Sequence, residues 1–342
     1  MSPLIELRGL TVEIPTPSGW IRPVDDVSFT LDAGESLGLV GESGSGKSML
    51  ALALMGLLPM GARVGGEAWF SGLGASANGE AGPRPNLLTL PERERIGVRG
   101  RDIAMIFQEP MTALNPVMRV GAQIAEAIRA HHAGLSREEV DRSVLAALER
   151  AAVPEPAMRA RQYPHQLSGG LRQRAMIAMA LAGDNGKAPR LLIADEPTTA
   201  LDVTVQKQIL ELLARLRRDL GLALLFITHD LGVVAQVADR IAVTYAGRIV
   251  EEGPAREVLE RPRHPYTAGL LRASPQLVRH KLEPIPGAVP APTALPPGCA
   301  FEPRCPVRVP ECAAAMPELL EAGTIHRARC ILVGKNNIER AK

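Results

Sequence analysis

The sequence lacks several features that would assign it to particular protein classes. Its 342 residues carry a net charge of only +2, so no excess of basic charge marks a nucleic-acid or anionic-membrane surface. The longest apolar run, around residues 49–58, is far too short to span a bilayer. The first residues show no signal-peptide core, so we expect the chain to stay in the cytoplasm unless a partner holds it at a membrane.

Cysteine is absent from the first 298 residues, and all four cysteines lie in the last 44. In a reducing compartment, such clustering favours a metal site over disulfides. Cys299, Cys305, Cys312 and Cys330 lack the close C-x2-C pairs of zinc ribbons, and their wide, irregular spacing tolerates a [4Fe–4S] cluster. Zn²⁺ and unmetallated thiols are the alternatives. His326 is a further candidate ligand, although we expect it on the surface.

Residues 41–48, Gly-Glu-Ser-Gly-Ser-Gly-Lys-Ser, fit the phosphate-loop pattern G-x-x-x-x-G-K-[ST]. A short apolar strand precedes them and an apolar helix, predicted over 47–58, follows. The glycines let successive backbone N–H groups face one concavity, and the helix N-terminus and Lys47 add positive charge. The pattern therefore predicts a polyphosphate site with a hydroxyl, that of Ser48, placed to ligate Mg²⁺. Its predicted binding residues are Gly41, Glu42, Ser43, Gly44, Ser45, Gly46, Lys47 and Ser48.

A second motif supplies the acidic half of a nucleotide hydrolase. The apolar run Leu-Leu-Ile-Ala at 191–194 predicts a buried strand that ends in Asp195 and Glu196. We expect this strand to deliver Asp195 to the phosphate loop, where its carboxylate can hold Mg²⁺ through water. Glu196 is then placed to polarise an attacking water as the general base.

The remaining pattern predicts an α/β body with a helical insertion and a small C-terminal piece. Residues 3–14 and 21–31 alternate apolar and polar side chains, which predicts two antiparallel strands. After Phe107 the pattern turns helical, with a capping box at Ser136–Glu139. The Gly/Ala/Pro-rich stretch 74–85 is predicted to form a mobile surface loop.

Residues 167–174, Leu-Ser-Gly-Gly-Leu-Arg-Gln-Arg, place a second anion-binding helix N-terminus in the chain. This segment resembles the signature motif of ABC-type ATPases, in which two nucleotide domains dimerise head to tail. The resemblance implies that four residues contact the ATP of the partner subunit: Ser168, Gly169, Gly170 and Gln173. It also implies that Gln108 is the Q-loop glutamine, a ligand of Mg²⁺ together with Ser48 and Asp195. Asp202 matches the D-loop, and His229 matches the switch histidine that contacts the γ-phosphate in catalysis.

Further stretches resemble a narrower group, the ATPase subunits of oligopeptide, dipeptide and nickel importers. They are residues 106–116, 263–271, 285–290 and 298–306. The resemblance implies a RecA-like core with an antiparallel β subdomain, a helical subdomain and a C-terminal extension. We therefore expect the core with its β subdomain at 1–108 and the helical signature subdomain at 109–182. The rest of the core is expected at 183–253, and the extension with the four cysteines at 254–342.

The family resemblance also implies the activity and the partners. It implies an ATP-hydrolysing subunit that energises the import of peptides or related small solutes. The expected partners are a second ATPase subunit, either a paralogue or a second copy, two permease subunits and an extracytoplasmic solute-binding protein. The expected location is the cytoplasmic face of the plasma membrane, as a peripheral subunit. The alternative is an ABC ATPase acting on nucleic acid or ribosomes, which the near-neutral charge and single set of motifs disfavour.

One position departs from the family pattern. Family members stack an aromatic ring on adenine, but Ile14 occupies that position here. Either Ile14 packs on the base, or Trp20 in the following turn replaces the missing ring. Which residue contacts adenine is therefore left open by the sequence.

Overall fold

A computed structural model describes residues 2–73, 85–132, 134–183, 188–199, 201–275, 277, 283–323 and 325–333. The predicted loop at 74–85 therefore lies almost entirely outside the described residues. The strands are β1 (Ile5–Thr16), β2 (Gly19–Leu31), β3 (Ser36–Val40), β4 (Arg63–Phe70), β5 (Ile103–Ile106), β6 (Leu191–Asp195), β7 (Ala223–Thr228), β8 (Arg240–Tyr245), β9 (Arg248–Pro254), β10 (Leu320–Glu321) and β11 (Arg327–Ala328).

The helices lie between these strands along the chain, and five of them follow one another between β5 and β6. They are α1 (Lys47–Met55), α2 (Glu92–Val98), α3 (Pro110–Ala113), α4 (Val120–His131), α5 (Arg137–Arg150), α6 (Pro156–Ala160), α7 (Gly169–Ala180), α8 (Val203–Leu220), α9 (Leu231–Val234), α10 (Ala255–Glu260) and α11 (Pro265–Ala273). None of the helices in the described ranges combines the length and apolar character needed to cross a bilayer.

The chain divides into two compact units. The first contains Met1–Leu31, Ser36–Thr89 and Phe226–Lys342, and the second contains Asp32–Glu35 and Leu90–Leu225. The boundary passes through strand β7, which begins in the second unit and ends in the first.

Antiparallel pairing in the first unit agrees with the alternating pattern of the N-terminal sequence. A three-stranded sheet has the order β2-β1-β4, and Ile5 on the central strand pairs with Leu31 and with Phe70. All three of these residues are buried. Both strands extend beyond their predicted ends, so only Pro17 and Ser18 separate β1 from β2.

Five further strands of the first unit include β3, the strand that the phosphate loop follows. They follow the order β10-β11-β9-β8-β3, with β3 parallel to β8 and the other neighbouring pairs antiparallel. All five residues of β3 are buried, as the continuous apolar run predicts for a strand covered on both faces. The phosphate loop follows β3 directly, and the C-terminal strands β10 and β11 extend the pairing beyond β9.

The second unit holds the parallel pair β5 and β6 together with helices α2 to α8. Strand β6 is entirely buried, and α8 is amphipathic, with Ile209, Leu213 and Leu216 on its buried face. This spacing of three and four residues is that of one side of an α-helix. Asp195 and Glu196 therefore lie at the end of a buried strand in this unit.

Several helices begin or end at residues that favour helix termini. Ser136 forms the predicted capping box with Glu139, and α8 runs from its Asp202 cap to Gly221. One predicted helix is shorter in the structure. The helix expected over 47–58 ends at Met55 because Gly56 adopts a left-handed conformation. Helix α9, which follows His229, covers only Leu231–Val234.

The capping box yields a matched test of local stability. Ser136→Ala removes the hydroxyl that accepts the Glu139 N–H, and we expect a loss of about 1 kcal/mol in unfolding free energy. Ser143→Ala in the same helix is the control, because this mid-helix hydroxyl only bonds back to the Glu139 carbonyl. Urea unfolding followed by circular dichroism measures both variants. Equal losses in the two would contradict the assignment of the cap.

Candidate nucleotide site

Glycine is required in the phosphate loop because other backbone segments press against it. Gly44 and Gly46 have φ angles of 81° and 95°, in the region that side chains disfavour. A Cβ atom on Gly46 would overlap the carbonyl oxygen of Pro23, and one on Gly41 would overlap that of Thr244. The loop is therefore pinned between strand β2 and the end of β8, both in the first unit.

The polar groups of the loop face one another at the start of α1. Lys47 is 5% exposed, and its ammonium donates to the carbonyls of Gly41 (2.8 Å) and Glu42 (3.0 Å) and to the Ser45 hydroxyl (3.1 Å). Helix α1 has no side-chain cap, and Ser48 lies in its half-buried first turn. Uncapped N–H groups at a helix start, next to a lysine, are the groups that bind phosphate.

Glu42 is the one acidic side chain in the loop, and its partners lie far away in the sequence. Its N–H donates to the Tyr266 hydroxyl at 2.9 Å. Its carboxylate accepts two hydrogen bonds from the Arg304 guanidinium, at 2.7 and 3.0 Å. Neither Tyr266 nor Arg304 was identified from the sequence, since no local pattern links them to residue 42.

The two candidates for the adenine contact lie on the β1–β2 hairpin. Ile14 is half-buried and pairs with Ile21, whereas Trp20 is 46% exposed and stacks under the Arg63 guanidinium at 4.0 Å. A cavity of about 190 Å³ lies beside Ser43 and Gly44. Its walls include Pro23 and the proline-rich segment 289–292, but neither Ile14 nor Trp20.

In the second unit, Glu196 is held in a constrained position at the end of β6. Asp195 is the last residue of the strand and is 4% exposed, and Glu196 follows it with a left-handed φ of 45°. The Glu196 carboxylate accepts hydrogen bonds from the Thr199 hydroxyl at 2.8 Å and from the Gln108 amide at 3.3 Å. An unfavourable φ on a buried acid is typical of functional sites. Sequence analysis missed Thr199.

The signature segment and the D-loop meet through their helix starts. Ser168 caps α7 by accepting the Leu171 N–H at 3.4 Å, and Asp202 caps α8 by accepting the Val205 N–H at 3.0 Å. Gly170 packs so closely on α8 that a Cβ atom would lie 2.7 Å from Val205. Both capping residues are exposed, whereas Gln173 is buried within α7.

His229 lies at the start of a tight turn in the first unit. It follows the buried strand β7 and is exposed. The next residue, Asp230, caps α9 and accepts hydrogen bonds from the N–H groups of Gly232 and Val233, at 2.8 and 3.4 Å. These hydrogen bonds fix the backbone conformation of the turn next to His229.

The four cysteines converge on one narrow cavity, which His264 and Phe301 also line. None of the four forms a disulfide, and the N–H of Cys299 donates to the carbonyl of Cys312 at 2.8 Å. Burial raises the pKa of Cys305 and that of Cys330 to about 11, with a smaller contribution from the neighbouring thiols. Among the described residues, no group of three or more His, Cys, Asp or Glu side chains has the arrangement of a formed metal site.

The expectation that His326 lies on the surface is wrong. His326 is 4% exposed, and its Nε2 atom lies 2.7 Å from the Glu251 carboxylate. The same carboxylate accepts the backbone N–H groups of Arg263 and His264, at 2.6 and 2.9 Å. His326 thus helps fasten the C-terminal segment to strand β9, an arrangement that depends on contacts distant in sequence.

Two family models match the chain. The ABC transporter model matches residues 24–199, and a model of the C-terminal region of oligopeptide/dipeptide transporters matches residues 250–312. A protein of Brucella ovis, provisionally named a peptide import ATP-binding protein, is 48% identical over 338 residues, which cover 96% of this chain and 97% of that protein. A similarly named protein of Brucella melitensis is also 48% identical over 338 residues, with the same coverage.

Solved structures agree with these matches. The ATP-binding cassette MJ0796, solved as a dimer in a post-hydrolysis state with ADP and Pi, is 28% identical with a TM-score of 0.61. The match covers 74% of this chain and 99% of that cassette. The cbiO1 protein of Clostridium perfringens, 24% identical over 76% of this chain and 92% of its own, has the same fold at a TM-score of 0.58.

The predicted α/β cassette fold is confirmed, and the chain belongs to the ABC transporter family of ATPases, with the C-terminal region of oligopeptide/dipeptide transporters.

Proposed function

We propose that this protein is the ATP-hydrolysing subunit of an ABC importer for dipeptides, oligopeptides or related small solutes. One observation carries the proposal: the ATPase motifs and the oligopeptide/dipeptide-type C-terminal region occur together in one chain. The Brucella relatives, matched over nearly their whole length, are named for peptide import. The alternative of an ATPase acting on nucleic acid gains no support, because both family models belong to transporters.

The proposed roles follow the chemistry of each side chain. Lys47 and the backbone of residues 44–48 bind the β- and γ-phosphates. Glu196 is the general base, and its bonds to Thr199 and Gln108 support this role because they orient the carboxylate. His229 contacts the γ-phosphate. We also propose that the chain has four functional parts. They are the core with its β subdomain at 1–108, the helical signature subdomain at 109–182, the rest of the core at 183–253 and the C-terminal extension at 254–342.

Mg²⁺ suits the oxygen donors assigned to it. Ser48, Gln108 and Asp195 offer a hydroxyl, an amide and a carboxylate, which are the ligands a hard cation prefers. The Asp195 carboxylate is buried at the end of a rigid strand, so it is preorganised for this role. When bound, Mg²⁺ would neutralise part of the phosphate charge. Activation of the attacking water is assigned to Glu196 of this chain.

Dimerisation completes the proposed mechanism. The signature residues Ser168–Gly170 serve the ATP of a second subunit, which is either a paralogue or a second copy. Gln173, also expected at that contact, is only 1% exposed within α7, so we leave it out of the proposed contact. The dimeric state of MJ0796 with ADP and Pi supports this arrangement. Two permease subunits and a solute-binding protein complete the importer, with this chain bound peripherally on the cytoplasmic side.

For the four cysteines we propose a structural [4Fe–4S] cluster, with Zn²⁺ as the alternative bound metal. The donor chemistry supports the proposal, because four thiols of one segment line a single cavity. Cys299, Cys305, Cys312 and Cys330 would hold the group, which would cross-link the segment that follows the proline-rich stretch. No step of ATP hydrolysis passes through it.

Replacement of the general base tests the ATPase mechanism. Glu196→Gln keeps the hydrogen-bonding shape but removes the proton acceptor, so we expect ATP binding with hydrolysis reduced about 10²- to 10⁴-fold. The variant should accumulate as an ATP-bound dimer, measurable by gel filtration and phosphate release. Glu211→Gln, on the exposed face of α8, is the control and should hydrolyse ATP at the normal rate. Near-normal hydrolysis by Glu196→Gln would overturn the assignment.

Purification of the intact complex without chelators and without oxygen tests the cysteine site and the partners together. We expect iron and sulfide, with visible absorbance, and the loss of both in Cys312→Ser, which removes a buried ligand. Zinc in place of iron would select the alternative. Metal-free protein with four titratable thiols would refute both. The co-purifying subunits would show whether the second ATPase is a paralogue.

A further inference from the structure

Glu42 creates an electrostatic problem inside the phosphate loop. Its carboxylate lies in the loop that the proposed function assigns to the β- and γ-phosphates, between Gly41 and Ser43. An unpaired carboxylate at this point would repel the phosphates of the nucleotide. A cation that does not occupy the phosphate position would cancel this negative charge.

Arg304 has the geometry of that cation. Its two terminal nitrogens each donate to a different oxygen of the Glu42 carboxylate, at 2.7 and 3.0 Å. Such a bidentate pair is the strongest form of a side-chain ion pair. The Arg304 side chain is only 4% exposed, whereas the Glu42 side chain is 30% exposed. The guanidinium is therefore desolvated by its surroundings and held against the loop.

Other groups fix the guanidinium in this orientation. Arg304 Nε donates to the carbonyl of Pro286 at 2.9 Å, and Nη1 lies 3.3 Å from the Tyr245 hydroxyl. The Tyr245 ring packs on those of Tyr266 and Phe301, with centroids 4.6 and 5.3 Å away. An arginine guanidinium stays protonated in proteins, so this positive charge is present at all relevant pH values.

The same cluster also holds the backbone of the loop. The hydroxyl of Tyr266 accepts the N–H of Glu42 at 2.9 Å, and burial raises the pKa of Tyr266, so the phenol stays neutral. Lys47 donates to the carbonyl on the other side of the same residue at 3.0 Å. Side chain, N–H and carbonyl of Glu42 are thus all bonded, and the C-terminal part of the chain supplies two of the three partners.

We propose that Arg304 is a positioning residue for ATP binding: it neutralises Glu42 and fixes the phosphate loop from the C-terminal extension. The proposal rests on the proposed function of the loop as the nucleotide site. It makes the extension part of the support for the ATP site, in addition to any role in holding a metal. It also predicts that substitution of Glu42 offsets the loss of affinity caused by substitution of Arg304, 262 residues away.

The test is a double-mutant cycle on the full-length chain, with the dissociation constant of a fluorescent ATP analogue and Mg²⁺ as the readout. Arg304→Gln leaves the Glu42 charge uncompensated, so we expect affinity to fall about tenfold or more. Glu42→Gln alone should bind at least as tightly as the parent. The double variant should recover most of the loss, because neither charge remains. In the assembled importer, Arg304→Gln should raise KM for ATP far more than it lowers kcat.

Three controls keep the outcomes distinct. Arg308→Gln alters a 59%-exposed arginine of the same segment, paired with Glu302, and should leave affinity unchanged. Arg304→Lys keeps the charge without the fork, so it should fold and bind with intermediate affinity. Lys47→Ala should abolish binding. Failure of the parent chain to bind the analogue would refute the proposed nucleotide site itself.

Two results would overturn the proposal while leaving the nucleotide site intact. One is parent-like affinity in both Arg304→Gln and Arg304→Lys. The other is a double variant as weak as Arg304→Gln, which would show that the pair only supports local structure. Thermal melts of each variant, recorded in parallel, identify any loss of folding, and the Arg304→Lys comparison then decides the outcome.

Discussion

Close packing around the phosphate loop is the constraint on which the rest of the first unit depends. The carbonyl of Pro23 leaves no space for a side chain at Gly46, and Thr244 leaves none at Gly41. A loop with two left-handed glycines would sample many conformations if it were unsupported. Packing against β2 and β8 removes that freedom before a nucleotide arrives, so less of the binding energy is needed to order the loop.

The C-terminal extension contributes to this support as well as to the identity of the family. Its Arg304 and Tyr266 bond the side chain and the backbone of Glu42. Arg304 directly precedes Cys305, one of the four thiols that line a common cavity. A metal group bound there would hold the segment from which the guanidinium extends. The extension therefore joins a structural site and the loop that binds phosphate within one unit.

Sequence analysis predicted what local patterns encode and missed what depends on distant contacts. The start of α5 was predicted because Ser136 and Glu139 form a capping box within a few residues of it. The buried position of His326 depends on a carboxylate 75 residues away, and that of Arg304 on one 262 residues away. No periodicity or motif signals such pairs. Family resemblance supplied the roles of the site residues, which local patterns alone do not assign.

Transport by the reconstituted importer tests the central claim most directly. The complex of this chain with its permease would be placed in liposomes with ATP and Mg²⁺ on the side of the ATPase. Labelled peptides and a solute-binding protein would be placed on the other side. We expect ATP-dependent peptide movement towards the ATP side, and none when this chain carries Lys47→Ala. ATP hydrolysis that neither responds to peptides nor moves any of them would contradict the claim that this subunit drives peptide import.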